Sequence, residues 1–261
     1  MRARSLSLVF GLILGCPVGD TGPAGDDTSA PGDTAGDDTG PDAVCAEPTE
    51  VACVDDMISD LSLQDKTNKD DITAGDDGDD HLDAVDASAG GYSNASKNAY
   101  IYAKFTDAGL EKVVITDEEA VESMDWDIAA RRFIVRLNGG SSGPSCVGAE
   151  AIDGKTYAEV DAVPDDADFQ VDDYYDEDCE IKEDDRGLPE NPDVALGAWW
   201  AYPDTCVATT DQPFLVQLAD GRVLKLTIET YYGDDGQTEC NEDGSTSAEG
   251  GYLTLRWRFL N

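Results

Sequence analysis

Apolar and polar residues alternate most cleanly at the end of the chain. Phe214, Val216 and Leu218 alternate up to Asp220-Gly221, a two-residue turn that tolerates positive φ. Leu224, Leu226, Ile228 and Tyr232 carry the alternation down a return strand. The last strand puts Leu253, Leu255, Trp257 and Phe259 on one face and Thr254, Arg256 and Arg258 on the other. This pattern predicts an antiparallel meander with one buried and one wet face. Between its last two strands, Gly233 to Gly250 reads as a polar loop that carries Cys240.

Upstream, Asn98 to Thr106 also alternates, with Tyr100, Tyr102 and Lys104 opposite Ile101, Ala103 and Phe105. Lys112 to Thr116 reads as another strand, and Asp117 to Asp125 as one helical turn. Met57, Ile58, Leu61 and Leu63 suggest a short element, followed by an acid-rich loop over Asp70 to Asp83. That loop holds the chain's one histidine, His81, which reads as a surface residue. No register of it fits an EF-hand. No helical periodicity persists for three turns, so the class is mainly β.

Trp126 to Pro144 is less regular. Phe133, Val135 and Leu137 share one strand face, whereas Arg132, Ile134 and Arg136 share the other. Trp126, Ile128 and Ala130 are in phase with the arginines. Either both faces are covered or a bulge near Ala129–Arg131 shifts the phase. Asn138-Gly139-Gly140 then turns the chain. Arg131, Arg132, Arg136, Arg256 and Arg258 are five of nine arginines, all on two predicted strands. Their simplest role is pairing with carboxylates across a sheet. The sharper alternative is recognition of an anionic ligand.

Charge changes this picture. With 57 Asp+Glu against 17 Lys+Arg, the formal net charge is -40. Nucleic acid is excluded as a partner, because phosphate binding needs a basic footprint. A heavily solvated surface, on an exported protein or one from a salty environment, is the simplest reading, and an acidic surface that binds cations is the alternative.

The N-terminus supports export. Arg2 and Arg4 precede an apolar run from Leu6 to Leu14, too short to span a membrane. Leu12-Ile13-Leu14-Gly15-Cys16 resembles a bacterial lipobox, which makes residues 1–15 a lipoprotein signal peptide and Cys16 the lipidated residue. Residues 16–44 are then a disordered Gly/Asp/Thr tether with a reach of about 30 Å. The β domain is expected over 45–261. Six further cysteines, an even number in an exported chain, read as disulfides. Proximity favours Cys45–Cys53, Cys146–Cys179 and Cys206–Cys240. Zinc is disfavoured by the missing C-x-x-C and the single histidine, whereas a loose calcium loop over Asp70 to Asp83 stays open beside the simpler reading of a solvated acidic loop.

A family resemblance rests on Trp126-Asp127-Ile128-Ala129, Arg131-Arg132-Phe133-Ile134, Arg136, Asn138-Gly139-Gly140 and Ser142-Gly143. That order resembles the signature of HmuY-type proteins, haem-binding lipoproteins of bacterial outer membranes. Ala162-Val163-Pro164, Gly197-Ala198-Trp199-Trp200, the Leu218–Leu226 hairpin, Thr230-Tyr231-Tyr232 and the last aromatic strand support it by order and spacing. The resemblance is clearest over 85–261. It implies a single all-antiparallel-β domain that captures haem at the cell surface and hands it to an outer-membrane transporter.

The iron ligands do not carry over. The family's best-known member uses two histidines, one in an acidic middle loop and one after the G-x-W strand. The matching stretches, Asp172 to Pro189 and Tyr202 to Asp211, contain neither histidine nor methionine. Met57 and Met124 read as packing residues. Tyr174, Tyr175 and Tyr202 lie in those stretches and are the candidate haem ligands, since tyrosinate can bind ferric haem. The alternative is the same scaffold binding a protein, a glycan or Ca2+. Enzymatic chemistry is not expected: with one isolated histidine there is no Ser–His or Cys–His arrangement, and no carboxylate pair stands out.

Overall fold

The computed structural model describes residues 44–182 and 193–260. The expected signal segment, Cys16 and all but the last residue of the tether lie outside the described residues. So does part of the acidic middle loop. The described residues belong to one compact unit, Gly40–Asn261.

Two antiparallel sheets dominate, as the alternation predicts. The larger runs in the order Ile72–Thr73, Asp80–Asp86, Tyr252–Leu260, Val223–Thr230, Phe214–Gln217, Gly148–Ala151, with Asp76–Asp77 also pairing with Asp80–Asp86. The smaller runs Gly109–Val113, Ile101–Thr106, Ile128–Arg131, Ile134–Leu137. A two-stranded ribbon pairs Trp200–Ala201 with Ala208–Thr209.

The inward faces of the two sheets form the main core. Leu224, Leu226, Ile228, Leu253, Leu255 and Trp257 meet Ile101, Ala103, Phe105, Ile128, Val135 and Leu137 there. Each fully buried Leu, Ile, Val or Phe among them contributes about 1.5–3 kcal/mol. The smaller sheet is buried on its other face too. Tyr100, Tyr102 and Ala129 pack against Met57, Leu61 and Leu63 of an N-terminal arm and against Tyr174 and Tyr175. The arm carries the helix Val54–Asp60. The smaller sheet is therefore a middle layer, and both phases of its alternation are covered.

Several expectations change. The Trp126–Pro144 stretch is neither one continuous strand nor a bulge. It is a tight hairpin in which Arg131 pairs with Ile134 and Arg132 turns the chain at φ 56°. Positive φ is what a two-residue hairpin turn needs, and an arginine gave no hint of it. The Gly233–Gly250 loop contains a helix, Asp234–Asp243. Its buried side is Gly236, Gln237 and Cys240 rather than an apolar stripe, which hid it. The acidic stretch contains a strand, Asp80–Asp86, whose inward positions are His81, Asp83 and Val85. Two of those three are polar, so no alternation announced the strand. The meander's outer face is partly roofed as well, because Ile152, Val160 and Leu215 cluster on it and leave Lys225 and Thr227 buried.

Of the expected disulfides, Cys206–Cys240 is present and ties the helix to the ribbon. The other two pairs are exchanged: Cys45 joins Cys146 and Cys53 joins Cys179. Nearness in sequence was a poor guide here, because the arm does not fold back on itself. It crosses the molecule, with Thr49 N donating to Pro144 O at 2.8 Å. The two bridges thus fasten the arm over the smaller sheet.

Candidate functional site

The arginine hairpin is structural. Arg131 donates to the carbonyls of Leu61, Ser62 and Asn98 and lies over the Tyr100 ring at 4.2 Å. Arg132 donates to Gly250 O, with Tyr231 at 5.4 Å. Arg136 is fully buried, 4.8 Å from the Tyr100 ring and 5.8 Å from Trp126. Its Nη2 donates to Ser142 O at 2.8 Å. The expectation of carboxylate pairing holds for Arg256, with Asp77, Asp80 and Glu229, and for Arg258, with Asp80 and Asp161. It does not describe the hairpin arginines, which bind carbonyls and aromatic faces because core, not solvent, covers that side of the sheet.

Arg136 is linked to Asp172 through Ser142. Its Nε lies 3.3 Å from Ser142 Oγ, which donates to Asp172 Oδ2 at 2.5 Å. Asp172 also accepts from Leu137 N at 3.0 Å and Ala195 N at 2.9 Å. Burial pushes its carboxyl up to about 6, against the pull of those hydrogen bonds. On the other side, Asp117 accepts from Gln64 N, Tyr100 N and the Tyr102 hydroxyl. Burial raises it as well, and Arg136 is the largest influence in the opposite direction.

The candidate tyrosines do not converge. Tyr174 is fully buried, and its hydroxyl lies 2.5 Å from Ser142 Oγ and 3.3 Å from Asp172. Burial, then Asp172, pushes its phenol well above the usual range. Tyr175 donates to Asp60 at 3.3 Å and is likewise raised by burial. These two rings are 6.3 Å apart inside the second core. Tyr202 is 39% exposed and influences Tyr231 and Tyr232, which belong to the border of the main core. Tyr174 and Tyr175 therefore serve packing.

A different place has ligand-binding character. At one end of the sandwich a groove of about 500 Å³ is lined by His81, Arg258, Phe259, Leu260 and three aspartates, Asp79, Asp107 and Asp161. His81 pairs with Trp257 in the sheet register, and the two rings stack at 4.4 Å. Its buried Nδ1 lies 3.2 Å from Asp76 Oδ1 but makes no hydrogen bond to it. Expected at the surface, His81 is instead packed on the Trp257 indole, with 19% of its side chain exposed. Arg222 stands at the groove's end, 4.3 Å over the Phe259 ring and 3.4 Å from Asp107. A second hollow of about 370 Å³ begins there, lined by Arg222, Asp107 and Met124. Among the described residues no group of three His, Cys, Asp or Glu side chains could hold a bare metal ion.

Comparison with known proteins gives the family. No curated protein matches the chain. Solved structures that resemble it include a candidate lipoprotein of Bacteroides fragilis NCTC 9343, at 15% identity and TM-score 0.43, covering 70% of this chain and 93% of that one. A candidate HmuY-like haem-binding protein of Bacteroides vulgatus ATCC 8482 matches at 16% identity and TM-score 0.43, covering 69% and 91%. The apo HmuY analog of Tannerella forsythia matches at 15% identity and TM-score 0.39, covering 76% and 100%. The model of the HmuY protein family matches residues 29–243, well over half of the sequence, and the chain belongs to that family.

Proposed function

We propose that this chain is a non-enzymatic surface lipoprotein that binds haem or a similar planar ligand for uptake. The family match over residues 29–243 carries the reading. Export and anchoring follow from the lipobox at Leu12–Cys16, with Cys16 as the lipidated residue on an outer membrane. An outer-membrane haem transporter is the partner that receives the ligand. The tyrosines of the expected loops fit the group poorly, since Tyr174 and Tyr175 are buried and hydrogen-bonded. The groove at His81 is the other concave place to weigh. It combines an imidazole, the Arg258 guanidinium and the Phe259 edge with three aspartates, Asp79, Asp107 and Asp161, so it suits a dianionic porphyrin no better. Bound haem would supply the iron whose transport is the point of the protein, and the chain's residues would hold and shield it.

The test is a haemin titration of the folded protein, residues 44–261. A saturable shift of the Soret band at micromolar protein is expected in at least one redox state. No shift in either state would overturn the haem reading. A calcium titration by calorimetry distinguishes the cation version of the alternative, for which heat of binding below millimolar calcium would be required.

A further inference from the structure

We propose that the Cys53–Cys179 disulfide is a redox-sensitive clasp, opened by a dithiol reductant while the other two bridges stay closed. It joins the start of the Val54–Asp60 helix to the turn after Tyr175, and so holds the cover of the second core. Backbone conformation, charge and a lack of other ties set it apart.

Cys53 has φ 56° and Cys179 φ 61°, the left-handed region that is costly for any residue with a Cβ. None of the other four bridged cysteines has a positive φ. The closed bridge thus keeps two residues in a conformation that opening lets them leave. Charge acts in the same direction. Asp55, Asp56 and Asp60 on the helix are exposed, as are Asp176, Glu177, Asp178 and Glu180 on the turn. With its Cα atoms 5.6 Å apart, the bridge holds these two acidic segments together against their repulsion. Lys182, at the end of the turn, is already paired with Asp173 at 2.6 Å.

Little else joins the two segments. Among the described residues, the hydrogen bond from Tyr175 to Asp60, at 3.3 Å, is the only one between them. Around Cys45–Cys146, by contrast, Thr49 donates to Pro144 O from its N at 2.8 Å and from its Oγ1 at 3.0 Å. Reduced Cys45 would stay beside Cys146 and close again, whereas reduced Cys53 and Cys179 would part. Cys206 and Cys240 are buried away from a reductant, whereas Cys53 and Cys179 are half-buried.

The exchange balances with a dithiol alone. One thiolate of the reductant attacks one sulfur of the bridge, and the other sulfur leaves as a thiolate and takes a proton. The second thiol then resolves the mixed disulfide. Two electrons and two protons pass to Cys53 and Cys179, and the reductant becomes a disulfide. The acids around the bridge select the partner. They repel an attacking thiolate, so the reductant that fits is a dithiol protein with a basic face.

Limited reduction of the native protein by dithiothreitol, without denaturant, tests the clasp. Acid quenching, alkylation and peptide mass spectrometry follow each cysteine. Cys53 and Cys179 should be labelled at least about tenfold faster than Cys45 and Cys146, with Cys206–Cys240 intact. Hydrogen exchange of the protein alkylated at that bridge should quicken over Val54–Asp60 and Tyr174–Lys182. Labelling of all six cysteines together, or of Cys45 and Cys146 first, overturns the clasp. So does unchanged exchange in both segments after reduction. At equal thiolate concentration, cationic cysteamine should open the bridge at least about threefold faster than anionic mercaptoethanesulfonate. Equal rates overturn the basic partner and leave the clasp standing.

Discussion

The two faces of the smaller sheet are buried by different means. The face toward the larger sheet meets a regular partner, strand against strand, with Ile101, Ala103, Phe105, Ile128 and Leu137 in an apolar core. The opposite face meets an irregular arm and two loop tyrosines. It encloses Arg136, Asp117 and Asp172, and two disulfides fasten its cover. One core is held by apolar area and the other by a charge balance with covalent ties. Continuous apolar packing needs no partner bookkeeping, but a buried charge does: each is tolerable only while the others remain. Much of the family signature lies in that second core, which explains how a motif can be distinctive without carrying a binding site.

The largest effect that separates the two cores should come from Arg136→Met. The side chain's volume is kept and the cation removed, which leaves Asp117 and Asp172 buried without it. The expected cost is about 3–5 kcal/mol. Urea unfolding at pH 7.5 measures it. A cost below about 1 kcal/mol would show that the carboxylates do not depend on the arginine and that the charge balance is not what holds this core.

The second way to separate the cores is to cut the cover. Cys53→Ser with Cys179→Ser removes a bridge spanning 126 residues of sequence. About 2–4 kcal/mol should be lost. The location matters more than the sum. Hydrogen exchange should quicken over Val51–Leu63 and around Tyr174, while the Val223–Thr230 and Tyr252–Leu260 strands keep their protection. Uniform loss of protection would mean that both cores unfold as one unit.

Legibility in the sequence follows the same division. The meander was readable because its inward residues are apolar and its turn is Asp220-Gly221. Alternation at Tyr100–Phe105 was readable too, but not that both phases were buried, because tyrosines look amphipathic wherever they sit. The Asp80–Asp86 strand was not readable at all. Asp83 occupies an inward position, with Gly75 N, Leu110 N and Trp257 Nε1 as donors. Nothing local to an aspartate announces three donors that arrive from other segments. The burial of His81 was hidden for that reason, since its context in sequence is a run of acids and its context in space is Trp257 and a groove. The tyrosines show the opposite case: Tyr174 and Tyr175 look like loop residues in sequence, but in space they are buried and hydrogen-bonded.

The smallest expected effect sharpens the comparison most directly, because it applies the first substitution to the other kind of arginine. Arg256 touches three carboxylates, Asp77, Asp80 and Glu229, on the outer face of the larger sheet. Counted by contacts, it should matter more than Arg136, for which no ion pair is found among the described residues. Counted by environment, it should matter less. Asp77 is 62% exposed and Glu229 34%, so water takes over for those two when the guanidinium leaves, while Asp80, at 18%, keeps Arg258 beside it at 3.7 Å. Arg256→Met should therefore cost about 1 kcal/mol or less, and raising the salt concentration should shrink the difference from the wild type. The Arg136→Met cost should hardly respond to salt, because its charges are shielded by protein rather than by solvent. If Arg256→Met proved the costlier of the two, ion pairs on the outer sheet, and not the buried balance, would be the main electrostatic support of this fold.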